Sequence, residues 1–221
     1  MRGPSIAPMV DAMTGMRPWT ATEFGLGLAM WVVMMVAMMV PTVAPMTLLY
    51  AAVARKAAAQ HSPVAPTFVF VAGYVTVWSL FSIAATITER ALDQAALLSP
   101  MLASKSALLA VTVVIGAGIY QLTPLKEVCL THCRAPAHFL SRYWRGGRAG
   151  AFDMGFRLGV YCLGCCWVLM ALLFVGGVMN LLCIAAIAAF VLLEKTAPIG
   201  RAAGRLAGAA LILVGLAMVA A

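Results

Sequence analysis

The sequence predicts an all-α fold: a polytopic membrane helix bundle of about six transmembrane helices. Three observations carry this expectation. The 221 residues are 64% hydrophobic and only 10% charged, with a mean hydropathy of +1.00; ordinary soluble chains are about 45–50% apolar and about 25% charged. Six apolar runs come close to the roughly 20 residues that a spanning helix needs. No polar stretch between them is long enough for a separate soluble domain, so residues 24–221 read as one transmembrane domain after a short extramembrane lead at 1–23.

The lead mixes Arg2, Asp11, Arg17 and Glu23 with apolar residues. It lacks the basic start followed at once by an apolar run that marks a cleavable signal, and Trp19 suits an interfacial turn. The first apolar run, 24–50, carries Pro41 and Pro45, which predict kinked or unwound final turns. The second and third runs are 67–88 and 107–123. A basic loop at 124–156 separates them from the fourth, 157–177. The fifth, 179–193, is short and follows Gly176 and Gly177, so it spans with little tilt, is half-embedded, or forms one broken element with the fourth. The sixth is 202–221.

A net charge of +8 could suit nucleic acid, but in a membrane chain basic loops set topology. With six spans, one side holds Arg55, Lys56, Lys126, Arg134, Arg142, Arg145, Arg148, Arg157, Lys195, Arg201 and Arg205. The other holds Arg2, Arg17, Arg90 and Lys105. This bias predicts both termini outside the cytoplasm and 124–156 inside. No nucleic-acid partner is expected. The lipid bilayer is, with Arg142, Arg145 and Arg148 near anionic headgroups. His61, His138, Glu89, Arg90 and Asp93 read as solvated loop side chains, Glu194-Lys195 as an interfacial anchor, and Gln121 as a group that needs a partner if buried.

The stretch MWVVMMVAMMVP holds Met30, Met34, Met35, Met38 and Met39. At about 100° per residue the methionines and Trp31 cover one half of the helix. Val32, Val33, Val36, Ala37 and Val40 cover the other half. Methionine packs irregular cores well, and that reading stands. A second reading is a thioether ladder: thioethers select Cu(I) over hard cations, and being neutral they avoid the cost of charge in hydrocarbon.

Five of the six cysteines form two stretches of matching shape, CLTHC at 129–133 and CLGCC at 162–166. Each places soft ligands at i, i+3 and i+4 on one helix face: Cys129, His132 and Cys133 in one, Cys162, Cys165 and Cys166 in the other, with Met170 one turn deeper. Both triplets flank the basic loop on one membrane side, where they could share a metal. Thiolate and imidazole suit Cu(I) or Zn(II). No spacing matches a zinc finger or a ferredoxin, and Cys183 reads as a small core hydrophobe. A reducing cytoplasmic side disfavours a structural disulfide, while Cys162-x-x-Cys165 keeps thiol exchange open.

MWVVMMVAMMVP, AGYVTVW, YQLTPLKEVCLTHCRAP and CLGCCWVLM with the later GGVMN and EK resemble a bacterial family of predicted metal-binding integral membrane proteins. The resemblance runs over roughly residues 25–200 and includes Met34, Met35, Met38, Met39, Pro41, Tyr120, Gln121, Lys126, Cys129, Cys133, Cys162, Cys165, Cys166, Glu194 and Lys195. It implies metal binding and no particular reaction.

Together these readings give a membrane protein that binds a soft metal, Cu(I) before zinc or none, in copper transport or delivery across the inner membrane. Its partner would be a metallochaperone or a membrane enzyme. Binding is favoured over catalysis. The rivals are a membrane thiol-disulfide oxidoreductase and a non-catalytic subunit or assembly factor of a membrane copper enzyme. Oligomeric state is left open.

Overall fold

The computed structural model describes residues 19–59, 65–99, 102 and 104–220. Most of the lead, and His61, lie outside these. The described residues are all-helical apart from turns and an isolated bridge between Leu98 and Ser104. In chain order the helices are α1 (Ala21–Ala59), α2 (Thr67–Gln94), α3 (Ala107–Gln121), α4 (Pro124–Arg134), α5 (Pro136–Tyr143), α6 (Gly147–Ala171), α7 (Leu173–Gly176), α8 (Leu181–Thr196) and α9 (Gly200–Ala220).

Among the described residues four helical stretches are long and apolar enough to cross a membrane: α1, α2, α6 with α7, and α9. A fifth is reached if α3 and α4, bent by 64° at their junction, count as one broken span. Helix α8 has only 16 residues, about 24 Å of rise against a hydrocarbon core near 30 Å. The stretch 124–156, expected as a loop, is instead mostly helical. Proline opens both α4 and α5, where the first turn needs no N–H from it, and α6 starts at Gly147. The expected unwinding at Pro41 and Pro45 does not occur either, because α1 stays helical through both to Ala59.

Helices α1, α2 and α6 form the centre, with α4 on α6, α8 against α1, and α9 on α3. The α2–α6 contact is backbone to backbone. A Cβ built on Gly155 would lie 1.8 Å from the Phe70 carbonyl oxygen, and one on Gly73 would lie 2.2 Å from that of Phe152. Only glycine permits this approach, and it sets Tyr74 of α2 beside Cys162 of α6. Helix α9 seats in the same way: its buried residues are Gly200, Gly204, Gly208 and Gly215.

Contacts at three points, Trp31, Met39 and Tyr50, fix the register along α1. Trp31 donates to the Glu89 carboxylate and packs its ring 5.3 Å from Phe174. The Tyr74 hydroxyl donates to the Met39 carbonyl at 3.3 Å. Tyr50 stacks on Phe70 at 4.7 Å and donates to the Ala65 carbonyl at 3.1 Å. Glu89, expected in a solvated loop, therefore sits buried on α2, and Asp93 accepts from Trp19 Nε1 at 2.8 Å.

Candidate metal centre

The methionine face of α1 turns into the bundle. Met35, Met38 and Met39 are buried with Trp31, and Met30 and Met34 are half-buried against the same core. Val33 and Val40 are exposed, while Val32 and Val36 are half-buried. Met46, two turns beyond Met39, is also buried. The apolar period continues through the two prolines, and this is the signal that would have included it.

At the Met46 end the side chains surround a partly enclosed cavity of ≈ 190 Å³. Its walls include Thr42 and Met46 of α1, Tyr74 of α2, Cys133 and Arg134 of α4, Cys162 of α6 and Lys195 of α8. Cys162 is only 2% exposed. Its sulfur lies 2.9 Å from the Tyr74 hydroxyl and 2.8 Å from Lys195 Nζ. Lys195 Nζ also donates to Thr42 Oγ1 at 3.3 Å. The Lys195 ammonium is suited to a thiolate at Cys162, whose charge it offsets.

The two cysteine triplets separate into different roles. Cys133 approaches both Cys162 and Cys165, so the helices do bring thiols of the two motifs together. The Cys165 and Cys166 thiols turn back to donate to the Cys162 carbonyl, at 3.1 and 2.9 Å. Cys129 lies further along α4 against Gly164, where an added Cβ would come within 2.8 Å of its sulfur. His132 does not join the thiols. Its Nδ1 pairs with the Val128 carbonyl at 2.9 Å, and its ring stacks on Tyr161 at 4.1 Å. Positions i, i+3 and i+4 fan over an arc of the helix, so only part of each triplet can aim at one point. Met170 is buried in the core on the α6 side.

Among the described residues no three His, Cys, Asp or Glu side chains form a group able to hold a metal ion. The donors around the cavity are two thiols, Cys133 and Cys162, and the Met46 thioether. That set suits a soft monovalent ion, which accepts low coordination by sulfur, and not zinc, which takes four ligands.

Glu194 and Lys195, expected as an interfacial anchor, are both buried. Lys126 Nζ pairs with Glu194 Oε1 at 2.6 Å. Gln121 donates to the same oxygen at 3.3 Å and accepts from Lys126. Arg134 caps the end of α8 through the main-chain carbonyls of Glu194 and Ala197. This network ties α3, α4 and α8 together and holds Cys133 and Lys195 beside Cys162. Nothing in the sequence signals that Lys195 points at a cysteine on another helix.

A sequence model of a family described as a copper chaperone (PpoB2) matches residues 28–218. The chain belongs to this copper-chaperone family. The matched stretch takes in the methionine face, both cysteine motifs and the Glu194-Lys195 pair. No curated protein and no solved structure matches the chain.

Proposed function

We propose that this member of the copper-chaperone family is a membrane-embedded Cu(I) carrier, holding the ion between Cys162 and Cys133 and supplying it along the methionine face of α1. The observation that carries the reading is the cavity itself, where the end of a buried methionine row meets two thiols from separate motifs and a lysine 2.8 Å from one of them. Two thiolates around Cu(I) leave one net negative charge, and Lys195 offsets it. Met35, Met38, Met39 and Met46 span about 16 Å of helix rise. Neutral thioethers there bind weakly enough to pass the ion on.

The topology belongs to the same proposal. Six spans result when bent α3–α4 and short α8 each cross the bilayer. The Lys and Arg bias then puts both termini outside and the thiol cavity near the cytoplasmic face of the inner membrane. Copper would enter over thioethers and reach thiolates, for hand-over to a metallochaperone or a membrane enzyme. The thiol oxidoreductase reading is weaker. Cys162-x-x-Cys165 lies mid-helix, away from the helix N-terminus that activates such a thiol.

The test is elemental analysis of purified protein loaded with Cu(I) under reducing conditions. Copper should bind the parent chain and be lost in the Cys162→Ser and Cys133→Ser double variant, and should stay in His132→Ala. Equal copper in the parent and the double variant would overturn the site.

A further inference from the structure

Among the described residues, Arg134 and Lys195 are the charged side chains lining the cavity, with no acid beside them. Glu194, next to Lys195 in the chain, is held by Lys126, and Arg134 donates to the main-chain carbonyls of Glu194 and Ala197. Lys195 meets a thiol and a hydroxyl. The cavity therefore carries more positive charge than copper on two thiolates offsets. It is also far larger than one ion needs, at ≈ 190 Å³, and exposed Pro45 and Thr196 at its edge connect it to the outside.

Cu(I) on the Cys133 and Cys162 thiolates carries −1. Lys195 cancels this and Arg134 remains as +1. A further anionic group is needed for balance. We infer that the cavity docks a carboxylate-bearing low-molecular-weight thiol, which exchanges Cu(I) with Cys162 and Cys133 while Arg134 and Lys195 hold its negative charge. This rests on the copper-carrier reading and adds the chemical class of the exchange partner.

The exchange is a ligand substitution without electron transfer. In the loading direction, one Cu–S bond of the bis-thiolate RS–Cu–SR breaks as a bond to the Cys162 sulfur forms. Cys162 enters as the thiolate that Lys195 pairs, so the first departing thiolate leaves as RS⁻. In a second exchange the Cys133 proton passes to the second departing thiolate, which leaves as RSH. Copper stays Cu(I), each complex keeps a −1 core, and unloading is the reverse. Lys195, 2.8 Å from the Cys162 sulfur, faces that −1 core at every stage. Arg134, beside Cys133 in sequence, faces the carboxylate.

The test uses the full-length protein in detergent, loaded with Cu(I) from an acetonitrile complex, and follows copper removal by glutathione or by its diethyl ester. The two thiols share one peptide body and differ in their carboxylates. Glutathione should remove copper about tenfold or more faster than the ester, a modest share of what one charge pair a few ångströms apart supplies near a protein surface. Arg134→Gln should shrink that ratio towards one, and Arg134→Lys should keep most of it. Equal rates for the two thiols on the parent protein overturn the inference while leaving the copper site standing, and do not depend on any variant folding. Failure of the parent protein to take copper from acetonitrile overturns the carrier reading and this inference with it.

Discussion

Replacing Lys126 by methionine leaves the Glu194 carboxylate buried, 2% exposed, without its ammonium partner at 2.6 Å. Only the Gln121 amide would remain on that oxygen. Removing one partner of a buried pair costs about 3–5 kcal/mol, because the charge left behind has neither water nor a counter-ion. That is about two to three and a half powers of ten in the folded-to-unfolded ratio. Water cannot readily replace the lost partner, since Gly204 of α9 closes over the carboxylate; a Cβ there would lie 2.3 Å from Glu194 Oε1. The matching double variant, Lys126→Met with Glu194→Met, removes both charges and should recover most of the loss, since apolar replacement of a whole pair is often neutral or better. Denaturant titration in a fixed detergent, with helix content as the signal, measures all three proteins. Because the pair holds α4 and α8 over α6, the single variant should also raise the rate at which Cys133 reacts with a thiol reagent. A single-variant loss below about 1 kcal/mol, the size seen for exposed pairs, would refute the reasoning, as would a double variant less stable than the single.

Gly155→Val should cost at least about 1–3 kcal/mol, as overpacking does, and separate Tyr74 from Cys162, because the first added carbon already meets the Phe70 carbonyl at 1.8 Å. Gly116→Ala, with nothing within 4 Å of the new carbon, should be neutral or slightly stabilising; thermal melts of the two compare directly, and equal melting points would count against the close helix crossing. Met35→Leu with Met39→Leu preserves volume and should cost less than about 1.5 kcal/mol per site, yet slow Cu(I) arrival at the thiols in stopped-flow loading; an unchanged loading rate would reduce the methionine row to packing. Reporter fusions after residue 221 and near Arg145 should report the non-cytoplasmic and cytoplasmic sides respectively, and a cytoplasmic signal at the C-terminus would reverse the proposed topology.

The sequence by itself determined the all-helical apolar character, because hydropathy and a 3.6-residue period are local properties. The methionine half of α1 was legible for the same reason, and so was the pairing of the two cysteine motifs, which share one spacing. What the sequence could not show was which members of each motif meet. His132 turns to Tyr161, the Cys165 and Cys166 thiols return to their own helix, and Cys133 is brought to Cys162 by α4, in a stretch that read as a loop because its charges hid short proline-started helices. Lys195 and Glu194 looked like an interfacial pair, and Glu89 looked solvated, since a lone charge beside an apolar run normally faces water. Their burial depends on partners 153 residues away at Thr42, 68 at Lys126 and 58 at Trp31. Contacts of that range are set by how closely glycines let α2 meet α6 and α9 meet α3, and only the tertiary structure decides that.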